Sequence, residues 1–458
     1  MATVIRSTKA CAVNPLKMSQ TIGAALAFLG IDRCLPLLHG AQGCTAFGLV
    51  LFVRHFREAI PLQTTAMSEV TTIMGGIDNL EQAILNIHNR AHPEVIGICS
   101  TGLTETQGED VTGFLRLIRA RRPELAGVAL VFVSTPDYEG AFQDGWTAAV
   151  TRIVDELAEP ASRRHPRRVN VLPGSHLTPG DVEELREIIE AFGLEARVLP
   201  DLSGSLDGHV PEDFCPTTLG GAGLAAIRAA GTAAFTLAIG EQMRAPAARL
   251  CAKTAVPYTV FQRLTGLGAA DELMQLLSER SGRPVPAQYR RQRSQLVDAM
   301  LDGHFFFSGT EVAIGAEPDL LYALSCWFAE MGAHIAAAVT TTTSPLLDKV
   351  PADEVLIGDL ADLEARAGGC DLVATHAHGR QMAGRLGRPL LRVGLPLFDR
   401  LGAAHRRMVG YRGTRDLVFE VGNMLADAAA GHAQSVAAHG QEDHETAADA
   451  ARMKEVSL

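Results

Sequence analysis

Residues 36–47 read PLLHGAQGCTAF. An apolar segment runs into a stretch of small residues, with His39 at its start and Cys44 a few positions on. Gly40 and Gly43 let the backbone approach a bulky group closely, and their small neighbours leave amide N–H groups free to face sulfide. A thiolate in such a place is stabilised by positive charge or a metal. Iron–sulfur clusters are commonly held by about four thiolates. The other seven cysteines, at 11, 34, 99, 215, 251, 326 and 370, form no C-x-x-C pair with it or with each other. That sets aside a zinc ribbon or a redox dithiol. On the residues alone, Cys44 is either one ligand of a metal group or a cysteine packed in a glycine-rich turn.

Outward from this loop, short apolar runs alternate with helical patterns. The runs predict strands over VIGICS (95–100), VALVFVS (128–134), RVNVLPG (168–174), ARVLPDL (196–202), AAFTLAI (233–239) and PYTVF (257–261). Further strands are expected over HFFFSGT (304–310), HIAAAVT (334–340), EVLIGD (354–359), DLVATHA (371–377) and LLRVGLP (390–396). Between many of them lie amphipathic helices. In 181–193, Val182, Leu185, Ile188, Ile189 and Phe192 recur at helical spacing, and Gly193 can end the helix. Near-continuous apolar strands alternating with helices imply parallel sheets covered on both faces. There are too many units for one sheet, and breaks rich in Pro, Arg or polar residues fall near 160–168 and 285–303. The expected fold class is α/β, with three Rossmann-like doubly wound domains and parallel sheets. The first covers 1–165 and carries the Cys44 loop, the second 166–295 and the third 296–428. Residues 429–458 are rich in Ala, His and acids without an apolar stripe, and read as a disordered tail. Its His432, His439 and His444 are expected to be solvated. Sheets of this kind bind ligands beyond the carboxyl ends of their strands.

Composition narrows the function. Hydrophobic residues make up 47% of the 458, enough for large cores. The net charge of −11 argues against a general nucleic-acid binder. Arg163, Arg164, His165, Arg167 and Arg168 form one basic knot beside Pro160 and Pro166, read as a solvated linker. The opening MATVIRSTKA has no apolar signal core, and runs such as GLVLFV (48–53) are too short to span a bilayer. No membrane and no nucleic acid are expected as partners. The expected location is cytoplasmic, where thiols stay reduced.

Residues 14–69, with His39, Gly40, Gly43 and Cys44 as a His-Gly-x-x-Gly-Cys loop and Arg54–Glu58 as an Arg-His-Phe-Arg-Glu box, resemble the amino-terminal region of the nitrogenase component 1 family. STGLTETQGED (100–110), TPDYEGAFQDGW (135–146), VNVLPGS (169–175) and VGLPLFDR (393–400) resemble it too, so the similarity runs from about residue 10 to about 425. The departures carry information. The resemblance implies that the catalytic beta-type subunit uses three cysteines for its half of an eight-iron cluster. The middle one matches Cys44, but the others match Ser19 and Gly102. A serine ligates iron weakly and a glycine has no side chain.

By that resemblance this chain supplies one thiolate, Cys44, to a 4Fe-4S cluster shared with an alpha-type partner subunit that brings the other three. Gly40 and Gly43 give the cluster room, and His39 orients the loop by a hydrogen bond. The implied assembly is an α2β2 heterotetramer with a NifE-type alpha subunit. It is a scaffold, not an enzyme, and holds the iron–sulfur precursor of the iron-molybdenum cofactor while molybdenum and homocitrate are added. The nitrogenase iron protein NifH would dock to it, and NifB and NifX would act as cluster donor and carrier. The alternatives are a beta-type subunit of nitrogenase or of dark-operative protochlorophyllide reductase, or a metal-free small-molecule module. Ser19 and Gly102 speak against the first, and PLQTTAM (61–67) resembles the scaffold type more closely than the protochlorophyllide reductase.

Other features have plainer readings. Cys34 and Cys99 are expected in the core, and Cys11 in an amino-terminal arm. Asp137, after Thr135-Pro136, is either a turn former or an auxiliary ligand. His376 and His378 alternate along an expected strand and should face opposite sides. GGAGLAA (220–226) is a weak dinucleotide fingerprint and reads as a loop opening a helix.

Overall fold

The computed structural model describes residues 1–9 and 12–430, so Cys11 and the tail residues 431–458 with their histidines lie outside the described residues. In chain order the strands are β1 (Thr3–Arg6), β2 (Cys34–His39), β3 (Gln63–Thr64), β4 (Val95–Ser100), β5 (Ala129–Val133), β6 (His165–Pro173), β7 (Glu195–Val198), β8 (Ala233–Ile239), β9 (Tyr258–Phe261), β10 (Glu311–Gly315), β11 (His334–Thr340), β12 (Glu354–Ile357), β13 (Leu372–Thr375) and β14 (Leu390–Arg392). They form three sheets, ordered β3-β2-β4-β5, β7-β6-β8-β9 and β1-β12-β11-β10-β13-β14. Each described pairing is parallel. This is the expected α/β architecture. The amino-terminal strand β1 lies at the edge of the last sheet, paired with β12.

The central strands are apolar along their whole length because helices cover both faces. All six residues of β2 and all six of β4 are buried. On one side of that sheet lie the helices Gln20–Leu29 and Phe142–Leu157. Two glycines set their separation. A Cβ on Gly23 would sit 1.9 Å from Phe142 O, and one on Gly145 1.8 Å from Gln20 O. Trp146 is buried on the same helix and its Nε1–H donates to Pro173 O at 3.0 Å, joining this layer to the end of β6. The helix expected over 181–193 runs from Pro179 to Ala191. Thr178 and Asp181 form a capping box at its start, and Gly193 takes φ +74 beyond its end.

Three expectations fail. The basic knot is not a solvated linker: β6 begins at His165, and Arg168 pairs with Glu195 at 3.2 Å across the neighbouring strand. HFFFSGT (304–310) is not a strand. The helix Ala287–Phe307 continues through it, and β10 begins at Glu311. Tyr289, Leu296, Ala299, Gly303 and Phe307 are buried at helical spacing, whereas Phe305 is 84% exposed. A run of three aromatics imitates a strand, but only one of them belongs to the core. His376 and His378 do not face opposite sides either. β13 ends at Thr375, the alternation ends with it, and the two rings touch edge to face at 5.1 Å. Among the described residues, no helix is long and apolar enough to cross a membrane.

Candidate functional site

β2 and β4 are neighbours in register, His39 opposite Ser100, so the chain leaves both strands at the same edge. The 40–44 and 101–104 segments therefore meet there. His39 is the last residue of β2 and is fully buried. Its Nε2–H donates to Glu109 Oε2 at 2.8 Å, and its Nδ1 lies 3.1 Å from Thr65 Oγ1. Burial pushes the imidazole below its ordinary pKa against the opposing pull of the Glu109 carboxylate. The other oxygen of Glu109 accepts from Gly76 N at 2.6 Å. With both ring nitrogens engaged inside the protein, His39 anchors the turn that follows it.

That turn is two residues long. Gly40 N donates to Thr65 Oγ1 at 3.0 Å, and a Cβ on Gly40 would sit 2.2 Å from Thr101 Oγ1. Close approach to the neighbouring turn is what requires glycine here. Thr101 and Thr104 hydroxyls both donate to His39 O, at 3.0 and 3.2 Å. After Ala41 the helix Gln42–Phe56 begins, so Gly43 and Cys44 lie in its first turn, not in an open loop. Ala41 offers no side-chain cap, which leaves the first amides of this helix without an internal partner.

The Cys44 thiol is exposed. A Cβ on Gly43 would meet nothing within 4 Å, so the space beside this first turn of the helix is open. Burial of part of the side chain, and then the charge of Asp137, push the Cys44 thiol up from its ordinary pKa. A thiol in that state binds a metal with release of its proton. The helix continues with an apolar outward face: Phe47 is 59% exposed and Val50 53%. Val53 continues it, and Val70 and Ile73 stand exposed on the short helix Glu69–Met74. The segment leading into that helix lies against the Gly40 turn, where Met67 N donates to Gly40 O at 2.9 Å.

Ser19 and Gly102 bring no thiol. Ser19 is the N-cap of the helix Gln20–Leu29, its Oγ accepting from Ile22 N. Gly102 N donates to Asp137 Oδ2 at 3.0 Å. Cys34 and Cys99 are fully buried in β2 and β4. Among the described residues no group of three or more His, Cys, Asp and Glu side chains could hold a metal ion. The site thus offers a bulky metal group one thiolate and open space, not a closed cage.

Two motifs prove structural. The Arg54–Glu58 box clamps the carboxyl-terminal loop. Leu397 N donates to His55 Nδ1 at 2.9 Å, Arg57 to Phe398 O at 2.9 Å, and the Arg54 guanidinium stacks 4.4 Å from the Phe398 ring centroid. GGAGLAA packs on the chain after Gly30: Ala222 N donates to Gly30 O, and a Cβ on Gly220 would meet Gly204 O at 1.9 Å. Sequence reasoning missed the apolar outward face of the Cys44 helix, the His39–Glu109 pair and the Asp137–Gly102 bond. The glycine-aspartate distance in sequence carries no signal for the last of these.

The family model for nitrogenase component 1 type oxidoreductases matches residues 19–426, and the chain belongs to that family. Within it, the chain is 59% identical over 430 residues to the nitrogenase iron-molybdenum cofactor biosynthesis protein NifN of Bradyrhizobium diazoefficiens, covering 93% of this chain and 92% of that one. The protein of the same name from Nostoc sp. is 50% identical, with 93% of this chain and 96% of that one covered. The solved structure "Nitrogenase Cp1 at pH 6.5" superposes with a TM-score of 0.87 at 31% identity, covering 92% of this chain and 95% of that one. A second, "Nitrogenase Cp1 at pH 5", has a TM-score of 0.71 at 13% identity over 93% of this chain and 91% of that one, and shares the fold.

Proposed function

We propose that this chain is the beta-type subunit of the scaffold on which the iron-molybdenum cofactor precursor is matured before transfer to nitrogenase. Molybdenum and homocitrate are added there, and the precursor is cargo. The names of the relatives support this role. The chain itself contributes one cluster ligand, the Cys44 sulfur, to a 4Fe-4S cluster at the seam with a NifE-type alpha subunit.

One observation carries the reading. The thiol stands exposed at the start of a helix whose outward face is apolar, with open space at Gly43 and, among the described residues, no group of three or more His, Cys, Asp and Glu side chains that could complete a metal site. An exposed apolar face next to an incomplete ligand set is what a subunit seam needs. The cluster supplies one-electron transfer when bound. This chain's residues hold it: Cys44 ligates, Gly43 leaves room, Gly40 lets the turn lie against Thr101, and His39 fixes the turn's origin. The assembly is an α2β2 heterotetramer in the cytoplasm, with NifH docking to it and NifB and NifX delivering the core. The chain acts as a scaffold without substrate chemistry of its own.

The test is Cys44→Ala in the complex co-purified with the alpha-type subunit. Iron at this cluster and cofactor maturation should both fall, with the electron paramagnetic resonance signal of the reduced complex lost. Normal iron and normal maturation would refute the proposal.

A further inference from the structure

The loop after β5 places Asp137 between two elements that carry no thiol. Its Oδ1 accepts from Thr21 Oγ1 at 3.0 Å and its Oδ2 from Gly102 N at 3.0 Å. Thr21 is buried in the first turn of the helix Gln20–Leu29, and its hydroxyl also lies 3.2 Å from both Ser100 O and Thr135 O. Thr135 in turn ties back to Ser100, its amide donating to Ser100 Oγ at 2.7 Å and its hydroxyl to Ser100 O at 2.6 Å. One carboxylate thus locks the ends of β4 and β5 to the start of a helix.

We propose that Asp137 is a positioning residue of this half-site, clamping the Gly102 corner to the Gln20–Leu29 helix beneath the turn that leads to Cys44. The inference rests on the reading of Cys44 as an iron ligand.

The mechanical path is short. Asp137 fixes Gly102, and Thr101 before it donates to His39 O. Gly40, the next residue, lies against Thr101 so closely that a Cβ would overlap it. The turn leading to Cys44 is therefore built on a surface that Asp137 holds in place. The same side chain fills the corner at 102. A Cβ built on Gly102 comes within 3.3 Å of both Asp137 Cβ and Oδ2, so a cysteine there would share its space with a carboxylate.

Two variants of the complex test the clamp. Asp137→Asn keeps an acceptor for Gly102 N and a donor for Thr21 Oγ1, and should retain iron as the wild type does. Asp137→Ala removes both, and should surrender iron to a chelator about tenfold faster. Wild-type iron retention in Asp137→Ala, or iron loss in Asp137→Asn equal to that of the alanine variant, would overturn the inference. Should the alanine variant fail to fold, Asp137→Ser, too short to bridge both partners, takes its place with the same expected iron loss. Cys44→Ala is run alongside. If it keeps its iron, the Cys44 reading itself fails; if it loses iron while both Asp137 variants match the wild type, only the role of Asp137 fails.

Discussion

His55 shows how one residue of a recognisable motif acquires its role from a distant partner. Its imidazole is buried and accepts the Leu397 amide, 342 positions away. Burial holds its pKa down at about 4, below the usual 6.5. The unfolded chain therefore binds this proton more readily than the folded one. The stabilising contribution is complete above about 6.5 and is lost as pH falls toward about 4. At about 1.4 kcal/mol per pKa unit, the loss is on the order of 3 kcal/mol. Protonation would set an N–H against the Leu397 N–H and release the 393–400 loop. His176 and His376 are also held at about 4 by burial and act in the same direction. Buried Glu317, pushed up to about 8, and Asp319, to about 6, act in the opposite direction, so the His55 contribution is read as a difference: against wild type, His55→Gln should lose less of its urea midpoint on acidification across this window. An identical slope would mean that His55 does not contribute. The Arg-His-Phe-Arg-Glu box was legible in the sequence. What it grips was not, because the contact joins opposite ends of the chain.

At the scale of elements, two kinds of glycine behave in opposite ways. Gly145 lies where the helices Gln20–Leu29 and Phe142–Leu157 touch, with no room for a methyl group. Gly145→Ala must separate backbone from backbone and should cost about 3 kcal/mol or more, at the upper end for overpacking. A drop in melting temperature of the isolated chain reads it directly. Gly43→Ala adds a methyl group in open space, so stability should stay within about 0.5 kcal/mol of wild type. Iron retention in the complex should fall all the same, since the methyl occupies the space left for the cluster. Periodicity alone separates neither case. It located most strands by their apolar runs, yet read the end of the Ala287–Phe307 helix as strand because three adjacent phenylalanines satisfy either pattern. Only burial, with Phe307 inside and Phe305 outside, shows which period the backbone follows.

At the scale of the whole molecule, the three sheets do not stand on separate cores. One apolar cluster joins Val169 and Leu237 of the second sheet with Val312, Trp327 and Val355 around the third, and another joins Phe28 and Val131 with Leu172 and Ala238. The rigid body this makes presents the Phe47, Val50 and Val53 face around Cys44. Val50→Asp should weaken association with the alpha-type subunit about tenfold, some 1.4 kcal/mol. The melting temperature of the isolated chain should not change, because the side chain is already half exposed. Full association in that variant, measured by analytical ultracentrifugation, would place the seam elsewhere.

The sequence by itself determined the alternating α/β architecture, the Cys44 turn and the absence of thiols at 19 and 102, because apolar periodicity, small residues and residue identity are local properties. Tertiary structure alone decided which face of the mostly apolar Gln42–Phe56 helix turns outward. It also decided that Asp137 reaches Gly102, and that His39 spends both ring nitrogens inside the protein. Each of these depends on where parallel strands end relative to one another. That placement is fixed by packing between segments far apart in the chain, and a pattern read a few residues at a time does not contain it.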